Sequence, residues 1–113
     1  MSVVSKQDRT RKGFMDFFNE QGGELSEMFL SHYAKTYEDG IFSAKVKRLM
    51  AMIGALAAGC EGCIVGQCRR AIDLGATRAE IIEACGVVVS LGGTMAGSRV
   101  SLIMQVMEEL EVK

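Results

Sequence analysis

The chain has 113 residues, 49% hydrophobic and 24% charged, with 13 Lys and Arg against 14 Asp and Glu for a net charge of −1. This length and composition fit a single globular domain over residues 1–113 and exclude a disordered chain. The near-balanced charge supplies no field to gather phosphate backbones or anionic lipid, so neither nucleic acid nor a membrane is expected as a partner.

Met1 to Lys12 is polar and mixed in charge, without the apolar centre of a signal peptide. No uninterrupted apolar run of membrane-spanning length is recognised, and the expected location is cytoplasmic. Proline is absent, glycine provides the breaks, and the helical period dominates over strand-like alternation. A first helix carrying Phe14, Phe17, Phe18 and Gln21 is expected to end at Gly22-Gly23. Leu25, Met28, Phe29, His32 and Tyr33 then follow i, i+3, i+4, i+7, i+8, an amphipathic second helix. Asp39-Gly40 marks a turn.

Ser43 is the expected N-cap of a third helix with Val46, Leu49, Met50, Ile53, Leu56 and Ala57 on one face. Its second half, Ala51 to Ala58, is apolar all round and expected to be buried. A fourth helix starts near Cys60 and runs to Leu74, with Gly75 as its left-handed stop. Thr77-Arg78-Ala79-Glu80 forms a capping box and opens a nearly all-apolar fifth helix through Leu91, broken or kinked at Gly92-Gly93. A last helix from about Thr94 carries Val100, Ile103, Met107 and Leu110. The fold class is therefore all-α with about six helices, and the eight methionines read as adaptable core packing. The third and fifth helices hold more apolar surface than a lone bundle buries. A homo-oligomer is expected, with Gly92-Gly93 and Gly97 permitting close backbone approach.

In a reducing compartment the four cysteines are core, metal or redox residues rather than structural disulfides. Cys60-Glu61-Gly62-Cys63 places two thiols at a helix start, where unpaired amides favour a thiolate. Cys60, Cys63, Ile64, Gln67, Ala71 and Leu74 share the apolar face, so the dithiol is expected to point inward. Inert core cysteines remain an alternative. Zinc lacks a second cysteine pair, because Cys68 and Cys85 form none and read as core residues. No metal and no cofactor are expected.

Lys45-Val46-Lys47-Arg48-Leu49, Gly59-Cys60-Glu61-Gly62-Cys63-Ile64, Gly75-Ala76-Thr77-Arg78-Ala79-Glu80-Ile81 and Gly92-Gly93 together resemble the alkylhydroperoxidase D-like, carboxymuconolactone decarboxylase superfamily, most strongly over residues 40–112. The resemblance implies an all-α bundle assembled as a homo-oligomer, a trimer or hexamer. In its redox branch it implies a dithiol that reduces a hydroperoxide or disulfide substrate and is reset by a thiol reductant protein. By that analogy Cys63 attacks peroxide and Cys60 resolves. The branch pattern also has a glutamate twelve residues before the first cysteine and a histidine four after the second. Here Arg48 and Gln67 stand at those positions. Neither cycles a proton near neutral pH, so weak peroxidase action is expected.

Arg48, Gln67 and Glu61 are the candidate supporting residues. His32 reads as a partly exposed structural residue rather than a substitute base, and Arg69 and Arg70 as a solvated edge rather than a carboxylate clamp. The alternative functions are a carboxymuconolactone decarboxylase-type enzyme or a non-catalytic oligomeric binding module of the same fold.

Overall fold

The computed structural model describes residues 2–113, and every regular element among them is helical. Helix α1 (Val3–Phe17) runs into a π-helical turn (Phe18–Gly22), followed by α2 (Gly23–Thr36), α3 (Ala44–Ala58), α4 (Glu61–Asp73), α5 (Arg78–Gly97) and α6 (Val100–Glu109). The all-α fold and the six α-helices agree with the sequence pattern.

Local chemistry sets these boundaries. Ser43 Oγ accepts the Val46 N–H at 3.1 Å and starts α3. Thr77 and Glu80 exchange the two capping-box bonds, at 2.9 and 3.1 Å, to start α5. The first corner falls at Gly22-Gly23, where Ser26 Oγ fills the space a Gly22 side chain would need. Gly93, with φ +56° and ψ −137°, holds a backbone that L side chains rarely adopt. It divides α5 into a long rod and a short tail over residues 94–97. The last helix therefore begins at Val100 rather than Thr94, because Ser98 and Arg99 first turn the chain.

The core lies where α3, α4, α5 and α6 meet, and encloses Met52, Leu56, Ile64, Cys68, Ile81, Val88, Ile103, Val106 and Met107. Two packing expectations are corrected. The second half of α3 buries Met52, Ala55 and Leu56 but leaves Gly54, Ala57 and Ala58 exposed, since neighbours cover it from one side only. Of the methionines, Met52 and Met107 are core, whereas Met28, Met50, Met95 and Met104 are exposed. A third correction concerns α5, which by length and composition alone is long and apolar enough to cross a membrane. In this fold it gives Ile81, Ala84, Cys85, Val88 and Ala96 to the core.

Three contacts seat α1 on the body. The N–H groups of Val3 and Val4 donate to the Glu109 carboxylate at 2.9 and 3.0 Å. Arg69 on α4 pairs with Asp8, and Gln7 rests over Gly62 and Gly66. Arg69 lies at a partly solvated edge, as expected, and from there pairs α4 with α1. Helix α2 packs closely chiefly against the π turn and buries only Ser26. It reaches the body through Tyr33 and Tyr37 over Arg48 and through Lys47 Nζ, which donates to the Thr36 and Glu38 carbonyls at 2.9 and 2.7 Å. The radius of gyration of 14.5 Å exceeds the roughly 13 Å of a compact chain near this length, as this projecting arm requires.

Candidate active site

The dithiol is set by how α3 ends. Gly59 closes that helix in the left-handed region, φ +80°, and donates its N–H to Ala55 O at 2.8 Å. The chain then passes straight into Cys60, which is extended (φ −85°, ψ 100°) and serves as the N-cap of α4. Its Sγ accepts the Cys63 N–H at 3.3 Å. Cys60 and Cys63 form a disulfide across a Cα–Cα distance of 5.2 Å, within the usual range for the bond.

Both cysteines are exposed, which corrects the inward orientation expected from the helical wheel. Cys60 is a cap and does not share the helical face. The buried face of α4 begins one residue after Cys63, at Ile64, and continues through Val65, Cys68 and Ala71. The first turn of α4 therefore presents its sulfurs to solvent, with the positive end of the helix behind them. Glu61 is exposed in that same turn.

Arg48 and Gln67, the two positions that depart from the redox pattern, meet in the structure. Arg48 Nη1 donates to Gln67 Oε1 at 2.9 Å and to Tyr33 Oη at 2.7 Å. Gln67 Nε2 donates to the same Tyr33 oxygen at 3.1 Å, closing a three-membered cluster. The guanidinium lies over the Tyr37 ring, 3.7 Å from its centroid, and 5.2 Å from that of Tyr33. Burial and the neighbouring Tyr33 push the Tyr37 hydroxyl above its ordinary pKa, against the lowering pull of Arg48. Gln67 is one turn beyond Cys63 on α4, which sets the cluster on the helix that carries the dithiol.

Sequence reading missed Tyr33 and Tyr37 as members of the site. Their signal is an aromatic stripe at spacing four along α2. Ring centroids step 5.4 Å from Phe18 to Phe29, 6.1 Å to Tyr33 and 4.9 Å to Tyr37. His32 is exposed, and the surface depression it lines is formed wholly by α2 residues, among them Glu24, Glu27 and Lys35. It takes no part in the cluster. Cys68, expected at the edge of its face, is fully enclosed. Burial and then neighbouring Cys85 push its thiol up to about 12, and burial also raises Cys85. Among the described residues no group of three or more His, Cys, Asp or Glu side chains converges as a metal site.

The fold has close counterparts. A carboxymuconolactone decarboxylase family protein from Legionella pneumophila superposes with a TM-score of 0.87 at 29% identity, covering 94% of this chain and 95% of its own. A Thermotoga maritima protein of the same family, described with a suggested part in the antioxidative response, gives 0.84 at 24% identity, covering 94% and 90%. An uncharacterised Paracoccus denitrificans protein named for the cox locus is 27% identical over 90 residues, 80% of this chain and 81% of its own length. The profile of the carboxymuconolactone decarboxylase family matches residues 23–105, a span holding the dithiol, Tyr33, Arg48 and Gln67. The chain belongs to the carboxymuconolactone decarboxylase family.

Proposed function

We propose that this protein is a thiol–disulfide oxidoreductase that reduces disulfide or hydroperoxide substrates with the Cys60–Cys63 pair. The observation carrying this reading is that the two sulfurs are paired, exposed and set at the N-terminus of α4. Inert core cysteines would be enclosed, as Cys68 is.

In the reduced protein the Cys63 thiolate attacks a substrate disulfide sulfur. A mixed disulfide forms, and one substrate thiolate leaves and takes a proton. Cys60 then attacks Cys63 Sγ, forming the intramolecular disulfide and expelling the second substrate thiol. With a hydroperoxide, Cys63 attacks the terminal oxygen, the O–O bond breaks and the alcohol leaves. Cys60 then condenses with the sulfenic acid and releases water. Either cycle returns to the dithiol by accepting two electrons and two protons from a reductant thiol protein.

No imidazole or carboxylate joins the Arg48–Tyr33–Gln67 cluster to move a proton, so disulfide exchange is favoured over peroxide turnover. The likeness to the Thermotoga maritima protein, at 24% identity, extends to the fold. We further propose that the working form is a homo-oligomer, since Leu25, Met28, Val87, Leu91 and Met95 are large apolar side chains at least half exposed, and that it works in the cytoplasm, where thiol reductants keep such a dithiol cycling.

Turnover of a small disulfide and of cumene hydroperoxide, driven by dithiothreitol, is the direct test. Cys63→Ser is expected to abolish both, and Cys60→Ser to trap the substrate on Cys63 as a mixed disulfide visible by intact mass. Full activity in Cys63→Ser overturns the proposal.

A further inference from the structure

Resting on that redox reading, we infer that Arg48 is an oxyanion subsite beside the dithiol, taking the carboxylate of a substrate whose disulfide or peroxide group is presented to Cys63. An arginine has five N–H donors and no acceptor. Both hydrogens of Nη1 are used, one on Tyr33 Oη and one on Gln67 Oε1. The Nε and Nη2 donors make no hydrogen bond to the described residues. They form the side-on fork whose spacing matches the two oxygens of a carboxylate.

The cluster holds that fork in one orientation. Because arginine only donates, Gln67 must turn its oxygen to Arg48, which commits its Nε2 to Tyr33. The Tyr37 ring supports the guanidinium plane from one face. Every anchor is a neutral group. The ion pairs among the described residues join Lys12 to Asp16, Lys35 to Glu38, Lys45 to Glu80 and Arg69 to Asp8, and none includes Arg48. A partly buried guanidinium with neutral partners is a cation in want of an anion. Gln67, bonded to it, is one helical turn from Cys63, roughly 6 Å along the α4 surface. Gln67 thereby ties the guanidinium to the turn of α4 that follows Cys63.

Alkylation kinetics test this without relying on turnover. The reduced protein is treated with iodoacetate or with its neutral isostere iodoacetamide, and modification of Cys63 is followed by peptide mass. In both reactions the thiolate displaces iodide from carbon, so the ratio of the two rates cancels thiolate content and isolates the effect of the carboxylate. Arg48→Met is expected to lower the iodoacetate-to-iodoacetamide ratio about tenfold, the scale of one charge-assisted hydrogen bond. Arg48→Lys, which keeps the charge and the fold but not the fork, is expected to fall between. An unchanged ratio in Arg48→Met, or a full wild-type ratio in Arg48→Lys, overturns the inference.

The same preference is expected in turnover, as a ratio of the KM for 3,3′-dithiodipropionate to that for bis(2-hydroxyethyl) disulfide that rises in Arg48→Met. If neither disulfide is reduced by any form of the protein, the redox reading fails, and the alkylation ratio still reports on Arg48.

Discussion

At the scale of single residues the four cysteines separate into two chemical kinds. Cys68 is sealed in the core with its thiol pushed up to about 12, so almost no thiolate forms near neutral pH. Cys60 and Cys63 stand in solvent at the amide end of a helix. After reduction and removal of the reductant, iodoacetamide is expected to label two cysteines per chain in the native state, and four only after unfolding. Peptide mapping checks this, and prompt labelling of Cys68 would contradict the packing. The dithiol was legible because a CxxC at a helix start is a local pattern. Its exposure was not, because a helical wheel assigns Cys60 a face, while the cap conformation takes it off the wheel. Arg48 and Gln67 stand out in the sequence separately, as departures at two positions. Their bond to one another, through Tyr33 from a third helix, is a long-range pairing that spacing along the chain does not encode.

Among the elements, caps and breaks carried most of the information. Ser43, the Thr77–Glu80 capping box, Gly75 and the Gly22-Gly23 corner each work through atoms within a few residues, and each is found where the pattern puts it. The Gly92-Gly93 pair marked a break without showing its form. The structure puts it at Gly93, with nothing within 4 Å of where a Cβ would be. A Gly93→Ala variant therefore meets a purely backbone cost and no steric one. Chemical denaturation is expected to show a loss of about 1–3 kcal/mol, the range for a residue forced into a glycine-only region. A loss near zero would mean that α5 runs straight through this position. The helix that came out differently, from Val100 instead of Thr94, did so because Gly97 reads in the sequence as a point of close backbone approach, whereas in the structure it ends α5 and the turn residues Ser98 and Arg99 follow it.

For the whole molecule, the sequence showed an excess of apolar surface but not where it gathers. The structure shows part of it on the outer side of α5, where Leu91 is 84% exposed and Met95 73%. More lies on α2, whose Leu25 and Met28 have no cover in the single chain. A monomer of 12.2 kDa with these faces open is expected to associate. Sedimentation should report a multiple of that mass, and Leu91→Lys should shift the population toward the monomer by setting a charge on the proposed contact. A wild-type protein that sediments as a monomer at micromolar concentration would remove the proposed assembly. The family was legible from motif spacing, and the structural counterparts agree on the fold over nearly the whole chain.

The cap made by Cys60 bears on how its replacement is to be interpreted. Its sulfur is at once a reacting atom and the acceptor that satisfies the Cys63 N–H. Serine keeps an oxygen at that post, a residue type that starts helices readily, whereas alanine leaves the amide bare at a cost of about 1 kcal/mol. Lost activity in the serine form is then attributable to sulfur chemistry alone. The same loss in the alanine form would mix chemistry with a frayed helix start, so the two replacements are not interchangeable controls.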